Sequence, residues 1–480
     1  MSKTPLHRTF IFGFAWTSLT KWLTQVVTWA SVFYAARLLS PADFGIVEMA
    51  GFVAIIAQVL AEFGLGGAVM QMRQIGKREQ GQLHTVSLGF GLLAAGVSYA
   101  AAPFMADFFH QPELKALVMW NSLGFIVMSI QVIPQGLLQR ELDYRRISLI
   151  EAGQAVVQAV LLVVCALAGY QYWSFLVAAI SGRVLAASLA WYWQPVHFAW
   201  PHLAEIRAAL RFGVDVALAR LSGSLMLQSD GFVIGRVLGN APLGTYRLAI
   251  NLASAPAEKV AQLVMRVTGP LFASLQDDRS QLTRYFLALS DVLMIVLAPL
   301  TVGFVVTAPE LIAVALGPKW GATVEPARWL AVYMSLRSLA TLGQQVLVTF
   351  GQTRYFLWMS LLGLVVLPPA FYLAVSYGMW AVAAVWLLSA PLLLLPQQIK
   401  ALRLMGCSVW AYVRLMVPSL SAAGVMGLAV WLLQQALPGH WTNWMRLGCE
   451  VSLGGAVYSG LMWSIHRENI YQYYKIITRK

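Results

Sequence analysis

Long apolar stretches alternate with short polar connections along the whole chain. A helix that crosses the hydrocarbon core of a bilayer needs about 20 mostly apolar residues. We predict fourteen such helices, with twelve as the main alternative, in which the last two stretches do not span. The predicted spans are 10–36, 44–71, 82–106, 114–138, 147–169, 172–193, 209–235, 243–272, 282–307, 326–350, 354–376, 379–399, 413–436 and 443–465.

One hairpin sequence occurs twice in this pattern. RLLSPADFGIVEMA at 37–50 aligns without a gap with RVLGNAPLGTYRLA at 236–249, at an offset of 199 residues. Each copy joins the first two spans of one half, and internal repeats of this kind are common in transporters. We therefore predict six helices at 1–205, six more at 206–403, and two additional helices with a tail at 404–480. The identical pairs are Arg37 and Arg236, Leu39 and Leu238, Ala42 and Ala241, Gly45 and Gly244, and Ala50 and Ala249.

Composition supports an all-α polytopic membrane protein. Of the 480 residues, 59% are hydrophobic and 11% are charged, and the mean hydropathy is +0.68. A soluble protein has about 25% charged residues. The net charge of +13 would suggest a nucleic-acid partner in a soluble protein. Here the positive-inside rule explains most of it, so we expect no nucleic-acid binding.

The basic residues predict the orientation. If the N-terminus is cytoplasmic, 20 of the 33 Lys and Arg residues fall in cytoplasmic segments. Only Arg37, Lys115, Arg236 and Lys319 fall in the opposite loops. We therefore expect both termini to be cytoplasmic. The basic N-terminus precedes about 27 residues without a small-residue cleavage site, which predicts an uncleaved first span.

Polar side chains recur at helical spacing within five of the predicted spans. Charges at membrane depth cost about 2.5–3.5 kcal/mol each, so they face a cavity or a partner. We expect a hydrated central cavity between two lobes; the alternative is polar contact between helices, as for Asp230 beside Arg220. The offset of 199 residues places Lys21 on Arg220. The stripes are Thr17, Lys21, Thr24, Thr28 and Ser31; Glu48, Gln58 and Glu62; Arg220, Ser224 and Gln228; Arg247, Asn251, Ser254, Glu258, Gln262 and Arg266; and Arg337, Thr341, Gln345 and Thr349.

Motifs of catalysis are missing from the sequence. It contains no GxxxxGK[ST] and no HExxH. The adjacent Asp277 and Asp278 lie in a short loop, where solvated carboxylates are the expected interpretation. Cys165, Cys407 and Cys449 lie far apart in apolar segments, so we expect neither a disulfide nor a metal site. We predict a protein that is not an enzyme and needs no cofactor.

The repeated hairpin resembles a known family. RLLSPADFGIVEMAGFVAIIAQVLAEFGLGGAVMQ (37–71) is similar to the first hairpin of bacterial polysaccharide transporters, the Wzx-type flippases, in the branch that includes the colanic acid exporter. QSDGFVIGRVLGNAPLGTYRLA (228–249) resembles the seventh helix and following turn of that family. The specific likeness covers about 60 residues, while the hydropathy pattern agrees over nearly the whole chain.

The resemblance implies the fold of the multidrug/oligosaccharidyl-lipid/polysaccharide exporter superfamily, with two six-helix lobes around a central cavity. It implies alternating access that moves an undecaprenyl-pyrophosphate-linked oligosaccharide across the bacterial cytoplasmic (inner) membrane. The transported units would be used to build an exopolysaccharide, a capsule or the O-antigen of lipopolysaccharide. The implied partners are the lipid-linked substrate and the bilayer. Polysaccharide polymerase or export machinery is a further candidate partner.

The polar stripes supply groups suited to such a substrate. Its pyrophosphate and sugars need cations together with amide and hydroxyl partners. We assign pyrophosphate or sugar acids to Lys21, Arg220, Arg247, Arg266 and Arg337. Sugar hydroxyls are assigned to Gln25, Asn251, Gln262 and Gln345, and proton or sodium coupling to Glu62, Asp230 and Glu258.

Other functions remain open at this point. Within the superfamily, the alternatives are a lipid II flippase and a cation-coupled drug exporter, the latter with a predominantly acidic cavity. A membrane glycosyltransferase or polymerase would need an external catalytic loop, and the longest non-cytoplasmic connection, near 308–325, is under 20 residues. A scaffold without transport activity would lack continuous polar stripes.

Overall fold

The protein is almost entirely helical in the part that the computed structural model describes. The backbone is described at residues 4–72 and 75–478; side chains there are described except at 4–19, 71, 203–205, 207–209, 215, 219, 222, 266, 267, 353 and 465–478. The α-helices are α1 (Thr4–Leu38), α2 (Pro41–Glu62), α3 (Leu65–Gln71), α4 (Lys77–Phe109), α5 (Glu113–Arg140), α6 (Tyr144–Leu167), α7 (Trp173–Trp193), α8 (Leu203–Val237), α9 (Asn240–Ser274), α10 (Arg279–Ala315), α11 (Val324–Thr349), α12 (Thr353–Ala374), α13 (Met379–Leu393), α14 (Leu395–Met405), α15 (Val409–Ala436) and α16 (Asn443–Thr478). Short 3₁₀ helices occupy Pro318–Thr323 and Val375–Tyr377.

Each of the fourteen predicted spans coincides with a helix or with a pair of consecutive helices. In the described residues, nine helical segments are long and apolar enough to cross a membrane. The all-α polytopic membrane fold is therefore confirmed. Two spans that the sequence predicts as continuous are interrupted, at 63–64 and at 394.

The first interruption follows α2. Phe63 and Gly64 both have left-handed backbone conformations, with φ of 41° and 63°, and α3 begins at Leu65. Glycine adopts this conformation without steric cost, which favours a break at this point. The side chain of Arg140 in α5 then donates to the carbonyl oxygen of Val69 (3.0 Å) and to that of Met72. It thereby satisfies carbonyl groups that the end of a short helix leaves without an intrahelical partner.

The second interruption lies between α13 and α14. Pro396 lies in the first turn of α14. Proline has no N–H group and its ring collides with the carbonyl of the fourth residue before it, so it fits a helix start better than a helix interior. The apolar stretch 379–399 predicted one helix because hydropathy does not register this backbone constraint.

The chain divides into two compact units, Met1–Gly244 and Thr245–Lys480. In the N-terminal unit, α8 packs against α2, α3 and α4. The division at 244 is based on contacts within each unit. It does not test the repeat boundaries at 205 and 403, which stay a prediction. In the C-terminal unit, α10 packs against α11, α15 and α16.

The segment between α7 and α8 is fixed to the N-terminal unit. Val196 is buried in one apolar cluster with Leu83, Ile133 and Ile206. Gln194 Nε2 donates to Glu141 Oε2 at 2.6 Å. This packing helps to hold the first half of α8 beside α3, where the two helices border a polar cavity.

Candidate functional site

The N-terminal unit contains a polar cavity of about 590 Å³. Helices α2, α3, α5, α6, α7 and α8 border it, together with the break between α2 and α3. Seventeen residues line it, and ten of these are Gln, Glu or Arg. The lining consists of Gln58, Glu62, Gly64, Gly66, Gly67, Met70, Met128, Gln131, Val132, Gln135, Gly136, Gln139, Glu151, Gln154, Gln158, Arg183 and Arg220.

Glutamines dominate the lining because of helical spacing. Gln131, Gln135 and Gln139 follow one another at intervals of four residues, so they share one face of α5. Gln154 and Gln158 share a face of α6 in the same way. Gln131 Nε2 donates to Gln135 Oε1 at 2.6 Å. An amide side chain offers both a donor and an acceptor, as hydroxyl-rich ligands require.

Small residues let the backbone form part of the wall. Gly64, Gly66 and Gly67 line the cavity at the break and in α3. Gly64 also packs closely on α8, since a Cβ atom there would lie 3.1 Å from the Cα atom of Gly213. Irregular backbone at membrane depth is tolerated where it lines a cavity or is covered by protein.

Two of the predicted site residues meet in the cavity. Arg220 Nη1 forms an ion pair with Glu62 Oε2, and Gln58 Nε2 donates to Glu62 Oε1 at 3.1 Å. The sequence offered Asp230 as a neutralising neighbour of Arg220, whereas the ion pair that the structure contains is with Glu62. Asp230 is buried, and its Oδ1 accepts the backbone N–H of Gly231 at 2.6 Å.

Lys21, the repeat equivalent of Arg220, lies beside the same cavity. Its Nζ is 3.9 Å from Glu151 Oε2, an oxygen of a cavity-lining residue. The two side chains are 53% and 40% exposed, so solvent screens the pair strongly. Both repeat-related cations thus contact a carboxylate of the N-terminal unit. Gln25 is half-buried on α1, one turn after Lys21.

The predicted residues of the C-terminal unit lie on two helices and are described separately. On α9, Asn251 and Gln262 are exposed, while Arg247 and Glu258 are half-buried. The side chain of Arg266 lies outside the described residues. The apolar residues Ala253 and Ala257 of α9 line a small gap of about 10 Å³ with residues of α10 and α11, so the polar stripe occupies the remaining surface of the helix.

The remaining two predicted residues are half-buried on α11. Arg337 Nη1 contacts the Sδ atom of Met334 at 3.7 Å. The backbone carbonyl of Gln345 accepts from Thr349 Oγ1 at 3.0 Å. These contacts are local, so substrate binding by Arg337 and Gln345 stays a prediction.

Sequence reasoning missed most of the cavity's lining. Arg183 of α7 was missed because one charge in an apolar span gives no pattern. The glutamines of α5 and α6 recur at intervals of four residues, but the predicted stripes were limited to spans with charged residues. Glu151 was missed too, although it lies three residues before Gln154 on the same helix.

A family model described as "Polysaccharide biosynthesis protein" matches residues 35–325, which is more than half of the chain. The lipopolysaccharide biosynthesis protein WzxC of Escherichia coli (strain K12) is 24% identical over 344 residues, which cover 70% of this chain and 68% of WzxC. The succinoglycan biosynthesis transport protein ExoT of Rhizobium meliloti (strain 1021) is 24% identical over 481 residues, which cover 96% of this chain and 94% of ExoT.

A solved structure has the same fold. The lipid II flippase MurJ in an inward closed conformation superposes with a TM-score of 0.76 at 12% identity, covering 95% of this chain and all of MurJ. At this identity the likeness shows the fold alone. Together with the apolar helices, the family match and the relatives' names lead to one conclusion: this chain belongs to the polysaccharide biosynthesis protein family and is a multi-pass membrane transporter of polysaccharide biosynthesis.

Proposed function

We propose that this protein flips undecaprenyl-pyrophosphate-linked oligosaccharide repeat units across the bacterial cytoplasmic membrane by alternating access. The observation that carries the proposal is the cavity of about 590 Å³ with six glutamines, two arginines and two glutamates in its lining. A lipid-linked oligosaccharide is an anionic headgroup followed by many hydroxyl groups, and this lining offers partners for both.

The charge balance of the cavity favours this substrate over a cationic drug. Glu62 is occupied by Arg220, and Glu151 lies within ion-pair distance of Lys21. Neither carboxylate is therefore a free counterion for a cationic ligand. The glutamines carry no charge and suit sugar hydroxyls. The fold of MurJ is compatible with lipid II as cargo, but no feature of the cavity favours lipid II over other lipid-linked saccharides.

The proposal includes no covalent chemistry. Among the lining residues that the structure describes, no nucleophile is paired with a base, and the two carboxylates contact cations. The distribution of Lys and Arg supports cytoplasmic termini, with α5 ending and α6 beginning on the cytoplasmic side. In this orientation, Gln139 and Glu151 lie nearer the cytoplasmic end of the cavity, where the substrate would enter.

The test begins with a deletion strain. Undecaprenyl-linked intermediates are extracted and identified by mass spectrometry, and the surface polysaccharide is quantified. Accumulation of one complete lipid-linked repeat unit, together with loss of the surface polysaccharide, is the expected result. Accumulation of a truncated unit would contradict the proposal, since an assembly enzyme would then be missing. An unchanged lipid pool with an intact surface glycan would also contradict it.

Complementation assigns the effect to the cavity. The wild-type gene restores export, whereas Lys21→Ala combined with Arg220→Ala is expected to abolish it at equal abundance in the membrane. The matched control is Arg328→Ala, which removes an arginine that pairs with Glu325 in the C-terminal unit. Normal export by the double variant would exclude Lys21 and Arg220 from substrate binding.

A further inference from the structure

Among the described residues that line the cavity, Arg183 is an arginine without an ion pair. The other lining arginine, Arg220, pairs with Glu62, and Lys21 at the rim lies within ion-pair distance of Glu151. Among the described residues, none of the ion pairs involves Arg183, and its buried Nη1 atom has no hydrogen-bond partner. Both glutamates of the lining are therefore in ion pairs with Arg220 and Lys21, whereas Arg183 is not in an ion pair with either of them.

The position of Arg183 is set by contacts between α7 and α5. Nη1 lies directly over Gly124, where a Cβ atom would overlap with it. The Cζ atom is 6.0 Å from the centre of the fully buried Phe125 ring. Beside it, Gln158 packs on Gly182, with its amide nitrogen 2.9 Å from where a Cβ atom would stand. A guanidinium held in this way is pre-organised for a planar ligand.

A guanidinium in a membrane protein keeps its charge, because arginine does not deprotonate in proteins. A charge at membrane depth is compensated by a partner or faces a water-filled space. Since the two carboxylates of the cavity contact other cations, the missing anion is one that a ligand brings. Arginine binds carboxylates and phosphates through two parallel N–H···O bonds.

The depth of Arg183 distinguishes the two anions of the substrate. Gly124 lies fifteen residues before Gln139 in α5, which corresponds to about 22 Å along the helix axis. Gly124 is thus near the middle of α5, far from the end where Gln139 lies. While the substrate enters, and before it is flipped, the lipid anchor keeps its pyrophosphate at the headgroup level, outside a hydrocarbon core of about 30 Å. The group that reaches Arg183 in a substrate entering from that end is therefore a sugar.

We propose that Arg183 is a specificity-determining residue that binds the carboxylate of an acidic sugar in the repeat unit, with Gln154 and Gln158 beside it for the neighbouring hydroxyl groups. This inference rests on the proposed function and narrows its substrate to repeat units that contain a uronic acid or another carboxylated sugar.

The first test is the composition of the intermediate that accumulates in the deletion strain. Mass spectrometry is expected to find at least one carboxylated sugar in it. A complete repeat unit without any carboxylate would overturn this inference and leave the flippase function standing. If no lipid-linked oligosaccharide accumulates, the proposed function fails, and the inference fails with it. The two failures are therefore distinguishable.

The second test measures binding of that purified intermediate to the purified protein. A synthetic counterpart, in which each carboxylate is replaced by CH2OH, serves as the matched ligand. The wild type is expected to bind the acidic form about tenfold more tightly, the effect of one charge-assisted contact. Arg183→Gln should bind both forms alike, at the wild type's affinity for the neutral form, and Arg183→Lys should recover part of the preference.

Two further variants protect the test against misfolding. Gly124→Ala places a methyl group against Nη1 and displaces the guanidinium while the arginine remains, so the acidic preference should fall as well. Arg328→Gln, outside the cavity, should keep it. If Arg183→Gln or Gly124→Ala weakens both ligands equally and also weakens binding of undecaprenyl pyrophosphate, Arg183 binds the pyrophosphate and the assignment is wrong. The assignment is also wrong if Arg183→Gln still binds the acidic ligand more tightly than the neutral ligand, by the same factor as the wild type.

Discussion

Gly45 and Gly244, which occupy the same position in the two copies of the repeated hairpin, pack backbone against backbone. A Cβ atom on Gly244 would lie 2.7 Å from the amide nitrogen of Gly45 and would overlap with the carbonyl of Pro41. A Cβ atom on Gly45 would overlap with the carbonyl of Asn240. Pro41 and Asn240 are themselves 199 residues apart, so the two copies contact each other reciprocally, as a local two-fold relationship requires.

This contact predicts that neither glycine tolerates a side chain. Gly45→Val or Gly244→Val is expected to lower the free energy of unfolding by at least about 1 kcal/mol, because the neighbour that must move is backbone. Thermal unfolding of the purified protein in detergent measures the effect. Gly51→Ala and Gly89→Ala are the controls, since no atom lies within 4 Å of a Cβ added there. Equal melting temperatures for all four variants would contradict the contact.

The ion pair between Arg220 and Glu62 is expected to matter more for transport than for stability. Arg220 is 58% exposed, so a double-mutant cycle with Arg220→Gln and Glu62→Gln should give a coupling energy of about 0.2–1 kcal/mol in thermal unfolding. Export of the surface polysaccharide should still fall strongly in each single variant. The same pair of changes at Arg328 and Glu325 provides the control for export. A coupling energy of several kcal/mol would show that the pair is structural.

The glutamines of α5 are expected to bind sugar hydroxyls. Gln131→Met together with Gln135→Met keeps the side-chain volume and removes the amide groups, including their mutual hydrogen bond of 2.6 Å. We expect export to fall about tenfold or more, because each lost hydrogen bond to an uncharged ligand costs about 0.5–1.5 kcal/mol. Quantified surface polysaccharide, normalised to the protein in the membrane, is the measurement. Gln276→Met in the exposed connection before α10 is the control. Undiminished export would remove these glutamines from the binding site.

Arg140 is expected to stabilise the interrupted second span. Arg140→Met removes the donor to the carbonyls of Val69 and Met72 and should cost about 1–3 kcal/mol of unfolding free energy, because those groups lose their partner. Thermal unfolding measures the loss, and hydrogen exchange should increase in α3 before the rest of the protein. Arg145→Met, at an exposed position on α6, should leave both unchanged. If the two variants behave alike, Arg140 does not hold the end of α3.

The fold class, the positions of the helices and the family could be predicted from the sequence alone. Hydropathy depends on local composition, and a bilayer forces every span to satisfy its backbone internally, so length and apolarity are sufficient to find helices. The repeat equivalence of Lys21 and Arg220 was also readable, since it needs only an alignment of the chain with itself. The breaks after Glu62 and before Pro396 were not predicted, because they depend on backbone conformation.

Which polar groups line the same cavity depends on how the helices pack. Gln131, Glu151 and Arg183 belong to three helices that are separated by loops in the sequence, and no spacing along the chain brings them together. Their convergence depends on how α5, α6 and α7 pack, and on Gly124 leaving room for a guanidinium. Individual charged residues can be read from the sequence. Which of them form ion pairs, and that Arg183 forms none among the described residues, depends on the packing of the helices.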